Sequence, residues 1–465
     1  MKKVRKSVLF LLSFALMMSF FVGCSSPTPS PSPSQTASQD TPTANAVSPT
    51  PTESAASGEP VTITMYDCAT TGSAGLALMQ QAIADFQTQH PNITVDYEYQ
   101  DGNNYHEKLA TLIASDTLPN LFATWGGSEM VEAVKSGKLL DLTSFYDANP
   151  DFKAQFSTAT LSDPNITYSG YSGIYGVPYD YITTGFYYNK DLFAQAGIAA
   201  PPATWDDMYA DIAKLKAIDV IPWAYAGSFG TRTEHVYDAI FYRMNGVDKA
   251  AELSNRTAKY SDDFAVAPWT EIVNLMNMGA FGPEPASVDW NTELSMFETG
   301  KAAMDFNLSS LVSTYQGPDS QVKGKIGFFP TPVYAGKEQY ANDNFAGGDM
   351  AYAIAAHATQ DQINAAWELA KYLGGIEVQS ALVNENILIP TNLNVTIDPS
   401  KSDPLMAAFQ SIMTTTNKAL LSVCTMDTDP GMLSKFRDVA AAVINQQLTP
   451  QQAGAALDDE IANAS

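Results

Sequence analysis

The sequence reads VTITMY at 61–66, ITVDYEY at 93–99 and LFATW at 121–125, and these three stretches decide the fold class. The first two alternate apolar and polar residues as half-buried strands do, and the third is a short apolar run. Two stretches with apolar residues at helical spacing lie between them, and His90-Pro91 ends the first of these helices. The β-α-β-α-β order predicts a parallel sheet with helices on its faces.

A second α/β series follows Pro178. Thr204 with Asp207 three residues later is typical of a capped helix start. Further strands are predicted near residues 220–224, 326–329 and 351–355, and the chain then becomes almost wholly helical. No repeat of about 20 to 50 residues is visible, so a solenoid is not expected.

The N-terminus has the pattern of a targeting segment. A basic start (Lys2, Lys3, Arg5, Lys6) precedes an apolar run over 8–22, which is shorter than the roughly 20 residues of a membrane span. We therefore predict a signal peptide over residues 1–23. Phe21-Val22-Gly23-Cys24 resembles a bacterial lipobox, which implies that Cys24 is acylated, although Phe21 departs from the usual aliphatic residue. The alternative is ordinary signal cleavage beside an incidental cysteine.

Residues 24–59 are rich in Ser, Thr, Pro and Ala and nearly free of large apolar residues. Such a segment buries too little surface to offset its chain entropy, so we predict a disordered spacer after the lipidated N-terminus. With the lipid anchor, the spacer predicts a protein tethered to the outer face of the cell membrane of a Gram-positive-type bacterium.

The composition limits the partners. Asp and Glu number 50 against 25 Lys and Arg, a formal net charge of −25. Such a surface repels nucleic acid and anionic lipid headgroups, so no nucleic-acid partner is expected and membrane contact is through the anchor alone. An uncharged or cationic ligand is favoured. Besides Cys24, the cysteines are Cys68 and Cys424, and the sequence leaves open whether they pair.

Short motifs in a consistent order give the family resemblance. They are similar to elements of the family 1 extracellular solute-binding proteins, which deliver solutes, most often sugars, to ABC importers. The motifs are Pro119-Asn120-Leu121-Phe122, Tyr175-Gly176-Val177-Pro178-Tyr179 followed by Tyr187-Tyr188-Asn189-Lys190-Asp191-Leu192-Phe193, the Pro202 to Trp205 helix start, Phe297 with Gly300-Lys301-Ala302-Ala303-Met304, and Gly347-Gly348-Asp349.

The resemblance implies a two-lobed, periplasmic-binding-protein-like α/β fold of type II, with a ligand cleft between lobes joined by crossing hinge strands. By this analogy the first lobe holds residues 60–179 and 311–355, and the second holds 180–310 and 356–465. The expected partners are a mono- or oligosaccharide and the permease subunits of an ABC transporter, and the protein is expected to be a monomer.

A sugar site needs flat aromatic surfaces for the apolar sugar face and planar polar groups for the hydroxyls. Trp125 and Trp223 both follow predicted strands and are our candidate stacking platforms, the alternative for Trp125 being packing at the rim. The sequence leaves the role of Trp290 open, and Trp205, Trp269 and Trp367 are expected to pack in the interior.

The candidate polar contacts lie at strand ends and at the proposed hinge. Asp67 follows the first strand, where open α/β sheets bind ligands, and its carboxylate is suited to accept two sugar hydroxyls; the alternative is that it caps the next helix. The other candidates are Tyr179, Asp180, Asn307, Gly348 through its backbone, and Asp349.

Enzyme signatures are largely absent from the sequence. It contains no G-x-x-x-x-G-K-[ST], G-x-S-x-G or H-E-x-x-H motif, and its four histidines are scattered. We therefore expect no catalytic residue, cofactor or metal. Two alternatives stay open: a tethered glycoside hydrolase, which needs two carboxylates across the scissile bond, and a ligand sensor for a membrane kinase.

Overall fold

The computed structural model describes residues 58–69, 71–125, 127–161, 172–348, 350–420, 422–424 and 431–464. The strands are β1 (Val61–Cys68), β2 (Ile93–Gln100), β3 (Leu121–Thr124), β4 (Val177–Pro178), β5 (Asp180–Asn189), β6 (Ile221–Ala224), β7 (Ala302–Leu308), β8 (Ile326–Phe329), β9 (Asp343–Gly348), β10 (Ala351–Ile354), β11 (Ile389–Pro390) and β12 (Lys418–Leu420).

The α-helices of the described residues alternate with these strands and then dominate the C-terminal part. They are α1 (Ala74–Gln89), α2 (Gly102–Ser115), α3 (Gly127–Lys135), α4 (Thr143–Ala148), α5 (Pro150–Lys153), α6 (Thr158–Leu161), α7 (Lys190–Gln195), α8 (Trp205–Ala217), α9 (Gly230–Asn245), α10 (Asp248–Ser254), α11 (Asp263–Asn277), α12 (Trp290–Glu298), α13 (Val312–Tyr315), α14 (Gln360–Leu373), α15 (Ile376–Asn384), α16 (Pro404–Thr415), α17 (Gly431–Ile444) and α18 (Pro450–Ala464). None of them combines the length and apolar composition that a membrane span requires.

Local sequence explains where the helices begin. The Ser73 hydroxyl accepts a hydrogen bond from the N–H of Leu76 at 3.2 Å and caps α1. The predicted cap of α8 is confirmed, since the Thr204 and Asp207 side chains each bond the other's backbone N–H. These caps satisfy N–H groups that would otherwise lack a helical partner.

The first sheet has five strands in the order β2-β1-β3-β10-β4. The predicted parallel arrangement is confirmed for β1, β2 and β3, which run in one direction. β10 runs antiparallel to both β3 and β4. The sheet is therefore mixed, because the chain re-enters it from the opposite end after building the second sheet.

The second sheet has seven strands, with the order β12-β9-β5-β7-β6 and with β8 and β11 also paired to β5. β5 is antiparallel to β7, β8, β9 and β11 and is buried along most of its length. Apolar and aromatic residues dominate β5, but Thr183 and Thr184 are buried at its middle. The Thr184 hydroxyl donates to the carbonyl oxygen of Phe345 at 2.8 Å, which satisfies this polar group inside the sheet.

Within the described residues, two direct strand-to-strand crossings join the sheets, and the chain passes to the second sheet once more between α15 and β11. β4 passes into β5 through Tyr179, and β9 passes into β10 beside Met350. The backbone N–H groups of Tyr179 and Asp180 both donate to the carbonyl oxygen of Met350, at 2.8 and 3.2 Å, so the crossings are bonded to each other. The predicted two-lobed α/β fold with crossing strands is confirmed.

The side chains of each sheet pack into separate cores, and two segments lie in a different core from the predicted one. α14 and α15 pack in the core of the first sheet through residues such as Trp367 and Leu382, whereas we predicted residues 356–465 for the second lobe. α14 begins six residues after β10 ends, so it packs on the sheet that contains β10. Conversely, β8 and β9 pair with β5 in the second sheet, although 311–355 was predicted for the first lobe.

The two described cysteines also belong to different cores. Cys68 packs against the first core and Cys424 is buried in the second. No disulfide joins them, which answers the question that the sequence left open. Cys24, the predicted lipidation site, lies outside the described residues.

Candidate functional site

The carboxyl ends of the parallel strands meet the crossing segments in both lobes. In the first sheet, Ala351 is paired with both Thr124 and Pro178, so the end of β3 lies beside the crossings. In the second sheet, Gly348 is paired with Tyr181 near the start of β5. Open α/β sheets bind ligands at such carboxyl edges, so we describe the side chains at these two edges.

Asp67 lies at the first edge, near the end of β1, and is almost enclosed, with 3% of its surface exposed. Its Oδ2 accepts a hydrogen bond from the Tyr97 hydroxyl at 3.0 Å, and its Oδ1 accepts from the N–H of Cys68 at 2.9 Å and the Tyr352 hydroxyl at 3.3 Å. Tyr179 adds a ring edge against Tyr352, with the centroids 5.0 Å apart.

The Asp67 carboxylate already accepts hydrogen bonds from two tyrosine hydroxyls and a backbone N–H and is almost enclosed. Its contact with sugar hydroxyls stays a prediction. The alternative helix-capping role is wrong, because Ser73 caps α1. Asp67 instead holds two tyrosines at the edge of the first sheet. Burial raises the pKa of Asp67 to about 6, and the bonds from Tyr97, Cys68 and Tyr352 limit that rise.

The raised pKa predicts a pH-dependent contribution to stability. A carboxyl group whose pKa is higher in the folded chain than in the unfolded chain stabilises the fold at low pH. That contribution is lost as the pH rises from about 4 to about 6, and the loss is about 3 kcal/mol for a pKa shift from 3.8 to about 6.

We expect urea unfolding to show that Asp67→Asn flattens the dependence of the unfolding free energy on pH in this range. The exposed Asp96 on β2 provides the control, since Asp96→Asn should leave the profile unchanged; equal profiles for wild type and Asp67→Asn would contradict the prediction.

Trp125 follows β3 at the first edge and is partly exposed. Its ring centroid is 4.6 Å from that of His106 and 5.4 Å from that of Tyr105, which meets it edge-on. Tyr105 is fully buried and donates its hydroxyl to the carbonyl oxygen of Ala123 at 2.6 Å. Trp125 therefore packs against Tyr105 and His106 and still has part of its surface exposed to solvent, as a stacking platform requires.

Trp223, the other predicted platform, lies in the second core with 1% of its surface exposed. The edge-on rings of Phe186 and Phe281 lie 4.6 and 5.1 Å from it. These contacts leave no ring face for a ligand, so we correct its role to core packing. The interior positions predicted for Trp205, Trp269 and Trp367 are confirmed.

The aromatic surface at the second edge is formed by Phe229 and Trp290. Phe229 precedes α9 with 42% of its surface exposed, and Trp290 begins α12 and is partly exposed. Their rings meet edge to face at 6.0 Å. The guanidinium carbon of Arg232 lies 5.3 Å from the Trp290 centroid, within range of a cation–π contact.

Arg232 is the centre of a buried charged network, which we call the Arg232 cluster: Arg232, His235, Glu293 and Asp305. Arg232 is 1% exposed, and its Nε donates to Glu293 Oε1 at 3.1 Å. Its Nη2 lies 4.0 Å from Asp305 Oδ1, and its Nη1 lies 3.1 Å from His235 Nδ1. Glu293 Oε2 also accepts the N–H of Ala226 at 2.9 Å. The cluster therefore connects α9, α12 and β7 through charged side chains, and its arginine packs against Trp290.

The remaining predicted residues have different surroundings. Tyr179 is buried, and Asp180 is half-buried, with Oδ1 accepting from the N–H of Ile389 at 3.2 Å. Asn307 is fully buried and bonds Asp305 and the N–H of Leu308, both at 2.9 Å, so its predicted position facing the cleft is wrong. Gly348 is partly exposed, and a Cβ built there would meet nothing closer than 3.8 Å. Asp349 lies outside the described residues.

The Arg232 cluster was missed because its members are far apart in sequence. Arg232 and Glu293 are 61 positions apart, and no local pattern connects them. One signal was present: the segment that follows Trp223 contains both Phe229 and Arg232. Among the described residues, no group of three or more His, Cys, Asp or Glu side chains is arranged to hold a metal ion.

Comparisons with known proteins identify the family and support the fold. The family model described as bacterial extracellular solute-binding protein matches residues 69–380. A Brucella abortus (strain 2308) protein named as a binding protein is 28% identical over 221 residues, covering 47% of this chain and 51% of that relative. The melibiose/raffinose/stachyose-binding protein of Bacillus subtilis (strain 168) is 22% identical over 331 residues, covering 69% of this chain and 72% of the relative.

A solved chitin oligosaccharide binding protein aligns with a TM-score of 0.72 at 24% sequence identity, over 88% of this chain and all of that one. At this identity the likeness establishes the fold. The alignment with the Brucella protein spans about half of that relative's length.

Proposed function

Because this chain belongs to the bacterial extracellular solute-binding proteins, we propose that it captures a sugar, with an oligosaccharide favoured, and delivers it to an ABC importer. It binds and releases the sugar without chemical change. Closure of the lobes about the crossing strands would enclose the ligand, as in other hinged binding proteins.

The observation that carries this proposal is a partly exposed tryptophan at each carboxyl edge. Trp125 lies at the end of β3 in the first lobe, and Trp290 lies beside Phe229 in the second. A sugar ring has an apolar face of C–H groups that stacks on such rings. Two platforms on opposite lobes favour a ligand long enough to contact both.

The relatives support a sugar over other solutes. The similar proteins include one that is named for binding melibiose, raffinose and stachyose and one that is named for binding chitin oligosaccharides. The net charge of −25 also disfavours anionic ligands.

A thermal-shift screen of the mature chain against mono- and oligosaccharides tests the proposal. A sugar present at about 100 times its dissociation constant should stabilise the protein by about 2.7 kcal/mol, because it binds the folded state alone. Chromatography of the same mixtures should return the sugar intact. The proposal fails if no sugar stabilises the chain, and release of shorter sugars would favour the glycoside hydrolase instead.

We further propose that acylated Cys24 and the spacer over residues 24–59 hold the receptor near its permease. Two acyl chains anchor a protein stably, whereas one gives marginal binding. Cell fractionation tests this: Cys24→Ser should move the protein from the membrane fraction to the medium, and an unchanged distribution would count against the anchor.

A further inference from the structure

His235 lies on the second turn of α9, the helix that also carries Arg232, whose guanidinium group contacts Trp290. Its Nδ1 is 3.1 Å from Nη1 of Arg232, and its ring centroid is 4.9 Å from that of Phe345 on β9. The charge of Arg437 in α17 also acts on His235, and Arg437 is paired with the buried Glu234, at 2.7 Å between Nε and Oε2. The histidine keeps part of its surface exposed.

The contact with Arg232 determines the protonation of the ring. A guanidinium group has donors and no acceptor, so His235 Nδ1 must be the acceptor of this hydrogen bond. A neutral imidazole that accepts through one nitrogen carries its proton on the other, so the ring is in the Nε2–H form. Burial lowers the pKa of His235 well below its usual range, and the positive charges of Arg232 and Arg437 lower it further.

Nε2 is the ring nitrogen left for a ligand. Among the described residues none forms a hydrogen bond with it, and it is not a fully enclosed atom. Arg232 contacts both His235 and Trp290, so this donor and the aromatic platform share one support. The ring orientation is therefore set before any ligand arrives.

We propose that His235 is a ligand-contacting residue that donates Nε2–H to an uncharged acceptor oxygen of the bound sugar, a hydroxyl or an amide carbonyl, beside Trp290. This inference rests on the proposed function. The neutral ring selects against cationic groups at this position, because its outward nitrogen is a donor and Arg232 lies directly behind it. Sugar affinity is consequently insensitive to pH between about 5.5 and 7.5, although a solvated histidine titrates near 6.5.

The protonation state is tested first, by long-range ¹H–¹⁵N NMR of protein labelled at histidine, with His235 assigned by comparison with His235→Gln. We expect a neutral Nε2–H ring from pH 5.5 to 7.5, with or without sugar. A protonated ring or an Nδ1–H ring in this range would overturn the inference.

The contact with ligand is then measured by calorimetry with a sugar that stabilises the wild-type chain. His235→Leu should weaken binding about threefold to tenfold, the range for one uncharged hydrogen bond. His235→Gln keeps an amide acceptor for Arg232 and an amide donor for the ligand, and should stay within about twofold of wild type. The matched control is His357→Leu in an exposed turn, which should bind as wild type does.

The outcomes separate the two proposals. If the wild-type chain binds a sugar and His235→Leu binds it equally well, the role of His235 is overturned and the proposed function stands. If the wild-type chain binds no sugar, the proposed function fails, and the role of His235 fails with it. Circular dichroism and urea unfolding of both variants establish that any lost affinity belongs to a folded protein. If His235→Gln binds the sugar as wild type does, the hydrogen-bond donor is what matters, and not the packing of the imidazole ring.

Discussion

Trp223→Ala is expected to lower the free energy of unfolding by about 3–5 kcal/mol. The indole is enclosed by Phe186, Phe281 and Phe306 in the second core, so its removal leaves a cavity that the surrounding rings can close only in part. Urea unfolding followed by circular dichroism measures the loss. The prediction distinguishes the core position from the ligand platform that the sequence suggested.

Trp125→Ala is the matched control at the partly exposed edge. It should cost much less stability and should weaken sugar binding, because stacking contributes about 0.5–1.5 kcal/mol beyond the area buried. Calorimetry on the folded variants measures the affinity. A Trp223→Ala chain with wild-type stability and lost sugar binding would contradict the core assignment.

Arg232→Met should cost about 3–5 kcal/mol of unfolding free energy, because it leaves buried carboxyl groups without their cation. Glu293 and Asp305 are both fully enclosed, and Arg232 lies 3.1 and 4.0 Å from them. Replacing the guanidinium by a methionine of similar length keeps much of the volume and removes the charge. Urea unfolding at pH 7.5 measures the loss.

The pH dependence of that loss separates charge from packing. Burial raises the pKa of Glu293, and Arg232 limits that rise. Without Arg232 this carboxyl should take up a proton more readily as the pH falls, so the deficit relative to wild type should shrink. The control Lys135→Met removes an exposed pair with Glu132 and should cost less than about 1 kcal/mol. A deficit that is equal at both pH values would show that Arg232 acts through packing alone.

The protonation of His235 and the position of Trp290 both depend on Arg232, so the Arg232 cluster links stability to the candidate site. Its buried charges are paired, which makes removal of one partner costly. We infer that the cluster orients the second edge before the ligand binds, and such preorganisation reduces the ordering cost of binding.

Much of the architecture was predictable from sequence because it depends on local periodicity. β1 and β2 follow from alternation and β3 from a short apolar run. α1 ends at Gln89, directly before His90-Pro91, and the α8 cap follows from Thr204 and Asp207. The order of short motifs gave the family resemblance and, with it, the two lobes and crossing strands.

The assignment of segments to cores was less predictable, since it depends on which sheet a strand joins. A strand such as β9 has the same local pattern whether it pairs with β5 or with β3. The structure pairs β9 with β5, and that choice carries residues 343–348 into the second sheet. Long-range pairing of this kind has no signature in the neighbouring residues.

The sequence by itself determined the α/β class, the cap of α8, the charge and the family resemblance, because each depends on residues close together in the chain or on composition. Only the tertiary structure shows that Asp67 accepts hydrogen bonds from two tyrosines and that Arg232 contacts His235. It also shows that Trp223 lies in the core while Trp290 is partly exposed. The physical reason is that burial, hydrogen bonding and ionisation depend on neighbours in space. Arg232 and Glu293 are 61 positions apart, so no local pattern shows the bond that joins them.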